Sequence, residues 1–230
     1  VFDRTAFTSD VGIVTLELTG ANTLLIEGPV GMTGATSYRF NAQKITDDVK
    51  PLVFGQAQGI DNRQWTAGQL GGAAYLDGAM YGEVAHSASI EVERNVSVEA
   101  WVKVDRFADS ASTPILYKGT GNAAQRTYSL WLNPDGSVTF STSRSDVFNG
   151  SAQTLVTAAG LIGVDEWHHV AVVVDRDSSA RAIHIYVDGV ERASVDVVPA
   201  NAMSNANALL IGRSLETIYG NFEGTIDEVR

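Results

Sequence analysis

Residues 183–195, IHIYVDGVERASV, predict a β-hairpin. Ile183–Val187 alternates β-branched residues with His184 and Tyr186, and Asp188-Gly189 separates this segment from Val190–Val195. Asp-Gly is a preferred two-residue turn between antiparallel strands, because its backbone twist matches the twist of the paired strands. The two segments are therefore expected to pair directly.

The segments on the N-terminal side of this hairpin show the two-residue period of strands. Ser97–Val104, SVEAWVKV, places four apolar residues on one face and Ser, Glu, Trp and Lys on the other. Tyr128–Leu132 and Val138–Thr142 flank Asn133-Pro134-Asp135-Gly136, a turn sequence that predicts a second hairpin. The β-branched run Val170–Val174 predicts a strand that is covered on both faces.

Short strands separated by small polar clusters dominate the chain, and helical spacing is scarce. Asp196–Asn207 contains three alanines but also Pro199, so it is interpreted as a loop rather than a helix. Many short strands with frequent turn signals indicate an all-β domain with two antiparallel sheets, either a sandwich or a jelly roll.

The composition excludes several classes of function. The chain has 230 residues, with 27 Asp plus Glu against 16 Lys plus Arg, for a net charge of −11. Nucleic-acid binding needs clustered Lys and Arg, so no nucleic-acid partner is expected. No apolar run approaches the roughly 20 residues that span a bilayer, so no membrane insertion is expected. The absence of cysteine excludes a disulfide and a thiolate nucleophile.

The N-terminal part of the chain leaves two interpretations open. Val14–Leu18 and Leu24–Ile26 are predicted strands, and residues 21–45 read ANTLLIEGPVGMTGATSYRFNAQKI. This stretch resembles the closing half of a bacterial extracellular β-sandwich repeat of the pre-peptidase type. Residues 1–47 are thus either the end of a preceding repeat or the first strands of the main domain, which we place at 48–230. Because the chain lacks an initial Met, we expect it to be a piece of a longer multidomain protein.

The order of the motifs after residue 68 indicates a protein family more specifically than any single motif does. They are GQLGGAAYLDG (68–78), SVEAWVKV (97–104), ILYKG (115–119), YSLWLNPDGSVTF (128–140), WHHVAVVVD (167–175), IYVDGV (185–190), LIGR (210–213) and FEGTIDEVR (222–230). In this order they resemble the laminin-G-like, concanavalin A-like jelly-roll domains of bacterial surface and secreted proteins. The resemblance implies the concanavalin A-like lectin/glucanase fold and an extracellular or cell-surface location, but one fold hosts many activities.

The resemblance also implies a structural calcium ion. Members of the family often hold Ca²⁺ with an acidic residue near the end of the domain, and Asp227 in GTIDEVR matches that position. Asp77 in YLDG matches an acidic position near the first strand, and carboxylates are suitable calcium ligands. The alternative is that Asp77 is a turn residue before Gly78 and that Asp227 caps a strand end.

Candidate ligand-binding residues are aromatic or lie at predicted loops and strand ends. Trp101 and Trp131 fall on the strand face opposite the most apolar one, where indole rings suit sugar stacking. Arg126 and Tyr219 lie at loops or strand ends, where binding residues collect. Core packing is the alternative for both tryptophans, and Trp167 is assigned to the core.

The sequence disfavours an enzyme. Laminarinase-type relatives carry Glu-x-Asp-x-x-Glu on one strand, and this chain has no such run and no Gly-x-Ser-x-Gly elbow. Glu91/Glu93 and Asp175/Asp177 have alternate spacing but are interpreted as surface charge. We therefore expect a non-catalytic module that binds a glycan or a cell-surface protein. A structural spacer is the alternative, and an exposed cluster of aromatic residues would distinguish the binder from it.

Overall fold

The computed structural model describes residues 65–147, 150–177, 179 and 181–230, together with the backbone of three further strands at 14–18, 22–26 and 53–54. This part of the chain contains short 3-10 turns at Ala88–Ile90 and Ala123–Gln125. The described residues include no helix with the length and hydropathy needed to cross a membrane. The strands in chain order are β1 (Val14–Leu18), β2 (Asn22–Ile26), β3 (Val53–Phe54), β4 (Trp65–Ala67), β5 (Gly72–Asp77), β6 (Gly82–Val84), β7 (Val96–Val104), β8 (Thr113–Gly119), β9 (Arg126–Leu132), β10 (Val138–Ser143), β11 (Ala152–Val156), β12 (Trp167–Asp175), β13 (Ala182–Val187), β14 (Val190–Asp196), β15 (Leu209–Ile211) and β16 (Glu223–Asp227).

Two seven-stranded antiparallel sheets form the sandwich. The first sheet has the order β11-β10-β9-β8-β15-β6-β3, and the second has the order β14-β13-β12-β7-β16-β5-β4. Strands distant in sequence are neighbours in both sheets, as when β16 pairs with β5 on one side and β7 on the other. The all-β, two-sheet antiparallel jelly-roll prediction is thereby confirmed.

Both predicted hairpins are present. β13 and β14 pair across Asp188 and Gly189, whose φ angles are 54° and 76°, so both turn residues have the positive φ of a type I′ turn. β9 and β10 pair across the predicted turn, where Gly136 N–H donates to the Asn133 carbonyl. Asp196–Asn207 contains no helix, as predicted. β14 ends at Asp196, and the residues from there to 207 form an irregular loop that leads to β15.

Alternating residues of the two sheets meet in one hydrophobic core. Val98, Ala100 and Val102 of β7 face Leu130 of β9 and Phe140 of β10, and all five are at most 5% exposed. The prediction that Val170–Val174 is covered on both faces is wrong. Val170, Val172 and Val174 are buried, whereas the alternate residues are only half-buried because one face of β12 lies outside the sandwich.

The N-terminal region is only partly described. β1 and β2 form an antiparallel hairpin of their own, and β3 pairs with β6 at the edge of the first sheet. Most of residues 1–47 lie outside the described residues. The boundary near residue 48 therefore stays a prediction.

Candidate binding site

The outer face of the first sheet carries a row of buried apolar side chains. Trp131 of β9, Tyr117 of β8 and Leu210 of β15 are 2%, 0% and 5% exposed and form a small hydrophobic cluster separate from the main core. Tyr81 and Tyr219 pack against this cluster and are only half-buried. We call Tyr81, Tyr219 and the neighbouring Arg213 the tyrosine patch, with the buried row as its floor.

Strand alternation places Trp131 in the floor. Tyr128, Leu130 and Leu132 point into the core between the sheets, so Ser129 and Trp131 point outward. The indole Nε1–H donates to Ser129 Oγ at 2.8 Å, which satisfies the ring's polar atom although it is buried. The ring also meets Tyr117 in an edge-to-face contact with a centroid distance of 5.7 Å. The floor is therefore well packed.

Arg126 connects this floor to the loop that carries Tyr219. Its Nε and Nη2 donate to the two carboxylate oxygens of Glu216, each at 2.7 Å, and Nη2 also donates to the Tyr219 hydroxyl at 3.3 Å. The guanidinium carbon lies 4.7 Å from the Trp131 ring centroid, within cation–π range. Burial by itself would lower the pKa of Arg126, but the bonds to Glu216 and Tyr219 outweigh it and raise the pKa.

The accessible part of the patch combines rings, a cation and apolar tips. Tyr219 stacks obliquely on Trp131 with centroids 4.4 Å apart, and the Arg213 guanidinium lies 4.8 Å from the Tyr81 ring centroid. Leu215 and Ile218, on the loop that Glu216 anchors, are 46% and 77% exposed. An aromatic surface with hydrogen-bond donors at its edge suits a ligand that has apolar faces and many hydroxyls.

The four predicted ligand-binding residues divide between the two sheets. Arg126, Trp131 and Tyr219 come together in one cluster, but Arg126 and Trp131 are 5% and 2% exposed and support the patch from below. Trp101 lies on the outer face of the second sheet, with its ring centroid 5.1 Å from that of His169. The core assignment of Trp167 is wrong, because this residue is half-buried on the same outer face as Trp101.

Sequence reasoning misses Glu216. The residue lies 90 positions from its partner Arg126, in the stretch SLETIYG, where no local pattern reveals the pairing. The burial of Glu216, which only the structure shows, indicates that its carboxylate needs a partner.

The two candidate calcium ligands lie apart. Asp77 pairs with Glu223 in the β5–β16 register, and Asp227 is four residues farther along β16, which corresponds to about 13 Å along the strand. Asp77 Oδ1 accepts hydrogen bonds from the Ala79 and Met80 amides, as a turn residue does. Asp227 is 5% exposed and accepts from the Leu70 and Glu228 amides. The two carboxylates therefore do not share one coordination sphere, and calcium stays a prediction.

The remaining acidic side chains are mostly held by basic or amide neighbours. The described residues contain no group of three or more His, Asp or Glu side chains that could hold a metal ion. Asp177 accepts hydrogen bonds of 2.6 Å from both Arg94 and Asn95, and Arg94 lowers its pKa. Glu91 lies 3.2 Å from the ammonium of Lys118. Asp175 and Asp177 line one open surface pocket at the end of β12, where Arg94 and Asn95 hold the Asp177 carboxylate.

Comparison with known proteins identifies the architecture. A family model described as the concanavalin A-like lectin/glucanases superfamily matches residues 76–230. No match is found among curated proteins. The CBM40 of Ruminococcus gnavus IT-sialidase, bound to α2,3-sialyllactose, is 15% identical, with a TM-score of 0.55 over 68% of this chain and 86% of its own.

Two other solved structures show the same fold. Domain 4 of AbnA, a GH43 extracellular arabinanase from Geobacillus stearothermophilus in complex with arabinotriose, is 21% identical, with a TM-score of 0.53 over 79% of this chain and 82% of its own. The binding domain of Paraclostridial Mosquitocidal Protein 1 is 14% identical, with a TM-score of 0.56 over 76% of this chain and 44% of its own. At these identities the likeness shows a shared fold.

Proposed function

Because this chain belongs to the concanavalin A-like lectin/glucanases superfamily, whose model covers residues 76–230, we propose that it is a non-catalytic module that binds carbohydrate through the tyrosine patch. One observation carries the proposal. Two half-buried tyrosine rings and an exposed arginine lie together on a buried, well-packed floor.

The patch has the chemistry that a saccharide needs. The C–H faces of a sugar ring pack on an aromatic ring, while its hydroxyls accept hydrogen bonds from phenol and guanidinium groups at the edge. The Arg126–Glu216 pair holds Tyr219 in place before a ligand arrives, so little conformational entropy is lost on binding. The tyrosine patch is therefore already ordered before the ligand binds.

The similar structures support a glycan ligand. Two of them contain a bound saccharide, sialyllactose in the sialidase CBM40 and arabinotriose in the arabinanase domain. The third is the binding domain of a mosquitocidal protein, and a cell-surface protein is the second class of ligand that we consider. By likeness to the extracellular arabinanase, we place the module in an extracellular or cell-surface protein of several domains.

The structural-spacer alternative predicts a plain polar surface. The tyrosine patch, with Leu215 and Ile218 exposed beside it, favours a binding module instead. The enzyme alternative has a direct test, because hydrolysis of β-glucans or alginate by the pure protein would overturn the non-catalytic proposal.

A glycan-array screen with and without calcium tests the proposal. The protein is applied in CaCl₂ and again in EDTA, and each hit is quantified by calorimetry. Binding that EDTA abolishes supports a calcium ion at Asp77 or Asp227, whereas binding that survives EDTA separates recognition from calcium. No binding to any glycan overturns the carbohydrate proposal and favours the spacer or a protein ligand.

A pair of alanine variants then locates the site. Tyr81→Ala removes a half-buried ring of the patch, and we expect at least a tenfold loss of affinity for the array hit. Trp101→Ala removes a comparable ring from the outer face of the second sheet and is expected to bind like the unmodified protein. If Trp101→Ala weakens binding and Tyr81→Ala does not, the binding site lies on the second sheet. Unchanged melting temperatures confirm that both variants remain folded.

A further inference from the structure

Lys118, near the end of β8, is completely buried. Its Nζ lies 2.7 Å from the Asn205 carbonyl oxygen and 2.6 Å from the Asn207 carbonyl oxygen. Three further polar atoms surround it: Asn205 Oδ1 at 3.2 Å, Glu91 Oε2 at 3.2 Å and His86 Nδ1 at 3.3 Å, and His86 Nδ1 also lies 3.2 Å from Glu91 Oε2. A lysine is rarely so enclosed unless its charge is matched.

The number of acceptors exceeds what an ammonium group can use. Lysine has three N–H donors, but four oxygen acceptors lie within 3.2 Å of its nitrogen. Glu91 Oε2 is buried, and the Lys118 ammonium and His86 Nδ1 each lie 3.2 Å from it. Such an excess of inward-pointing oxygen atoms is typical of the shell around an ion.

The types of acceptor also match an ion site. Two backbone carbonyls, one amide carbonyl and one carboxylate are the oxygen ligands that hard cations such as Ca²⁺ prefer. The distances of 2.6–3.3 Å fit an ammonium nitrogen, whereas calcium–oxygen distances are about 2.3–2.6 Å. The second Glu91 oxygen accepts from the Asn205 amide at 2.7 Å, so the carboxylate is fixed within the shell.

We infer that Glu91, Asn205 and Asn207 form a cation cage and that the ammonium of Lys118 occupies it as a built-in cation. The cage organises the segment that leads into β15. Asn207 Nδ2 also donates to the Gly119 carbonyl, and the next residues include Ala208 and Leu210, which pack in and against the floor of the tyrosine patch. The shape of that floor is thus supported by a covalently tethered cation.

Electrostatics agree with an occupied cage. Burial lowers the pKa of Lys118, and Glu91 partly offsets that effect. Burial alone would raise the pKa of Glu91, but hydrogen bonds from Ser204 and Asn205 and the charge of Lys118 outweigh it and lower the pKa. The charge of Lys118 is thus one of the causes that favour the ionised form of Glu91, and emptying the cage removes that charge and leaves His86 as the nearest basic side chain.

The inference is tested by emptying the cage and offering other cations. Lys118→Ala is expected to lower the melting temperature by roughly 10 °C, because a buried carboxylate loses its partner. Addition of CaCl₂ or methylammonium chloride should recover at least half of this loss, at an ionic strength matched with NaCl. The unmodified protein should gain no more than about 1 °C under the same conditions, because Lys118 already fills the cage.

Lys118→Met is the matched control. Methionine fills the same space without a charge, so the variant should be destabilised like Lys118→Ala but should not respond to either cation. Equal responses of the two variants, or no response of Lys118→Ala to any cation, would overturn the inference. If Lys118→Ala is unfolded in plain buffer, refolding from urea is measured in each salt. Folding only with calcium or methylammonium supports the cage, and failure in every salt overturns it. None of these outcomes depends on carbohydrate binding.

Discussion

Arg126 and Glu216 lie 90 positions apart in the sequence and face each other through two hydrogen bonds of 2.7 Å, with each side chain only 6% exposed. The pair joins the start of β9 to the loop that carries Tyr219. A bidentate guanidinium–carboxylate pair has a fixed geometry, so it determines where this loop lies on the first sheet. The recognition surface thus depends on an interaction that is itself hidden from solvent.

Breaking this pair should destabilise the protein strongly. Arg126→Met leaves Glu216 buried without its counterion, and we expect the free energy of unfolding to fall by about 3–5 kcal/mol. Equilibrium unfolding in urea measures the change. The double variant Arg126→Met/Glu216→Leu should be more stable than the single variant, since it buries no unpaired charge. A single variant within about 1 kcal/mol of the unmodified protein would contradict the role assigned to the pair.

Tyr219 allows its ring to be separated from its hydroxyl. Tyr219→Phe keeps the contact with Trp131 and removes only the bond to Arg126, so we expect at most a threefold loss of glycan affinity. Tyr219→Ala removes the ring and should weaken binding at least tenfold. Calorimetry with the array hit checks both values. If the two variants lose affinity equally, the hydroxyl rather than the ring contacts the sugar.

Two glycines with positive φ should respond very differently to alanine. At Gly189, with φ of 76°, a Cβ atom would have no neighbour within 4 Å, so Gly189→Ala should lose only about 1–2 kcal/mol of stability from backbone strain. At Gly224, with φ of 141°, a Cβ atom would overlap the carbonyl oxygen of Lys103. Gly224→Ala adds this overlap to the strain and should lose about 3 kcal/mol or more. Urea unfolding of the two variants side by side gives the comparison, and similar losses would contradict the close approach of β16 to β7.

Glu91 should make stability depend on acidic pH. Its pKa in the folded protein is lower than its ordinary value of 4.5, so its contribution is complete above pH 4.5 and is lost as pH falls through the folded value. Glu91→Gln removes this contribution, and at pH 7 we expect a loss of roughly 1–3 kcal/mol. The difference between the two proteins should shrink from pH 7 to pH 3, as followed by urea unfolding. A difference that stays constant over this range would show that ionisation of Glu91 does not stabilise the fold.

Sequence patterns were sufficient for the strands because those patterns are local. The alternation in SVEAWVKV placed Trp101 outside the core, and Asp188-Gly189 specified the turn between β13 and β14. The two-residue period of YSLWL likewise placed Trp131 on an outer face, but it did not show that other residues cover this face. Tyr117, Tyr219 and Arg126 bury Trp131, and these residues come from two other segments as well as from its own strand.

Length, composition and short-range periodicity determine that this protein is an antiparallel β-sandwich, because strands and turns depend on residues that are close in sequence. The order of its motifs is enough to indicate the family. The tertiary structure alone decides which side chains converge. It brings Glu216 to Arg126, it encloses Lys118 with Glu91 and Asn205, and it keeps Asp77 away from Asp227. The physical reason is that these contacts join segments far apart in the chain, and their geometry depends on how the two sheets and their loops pack together.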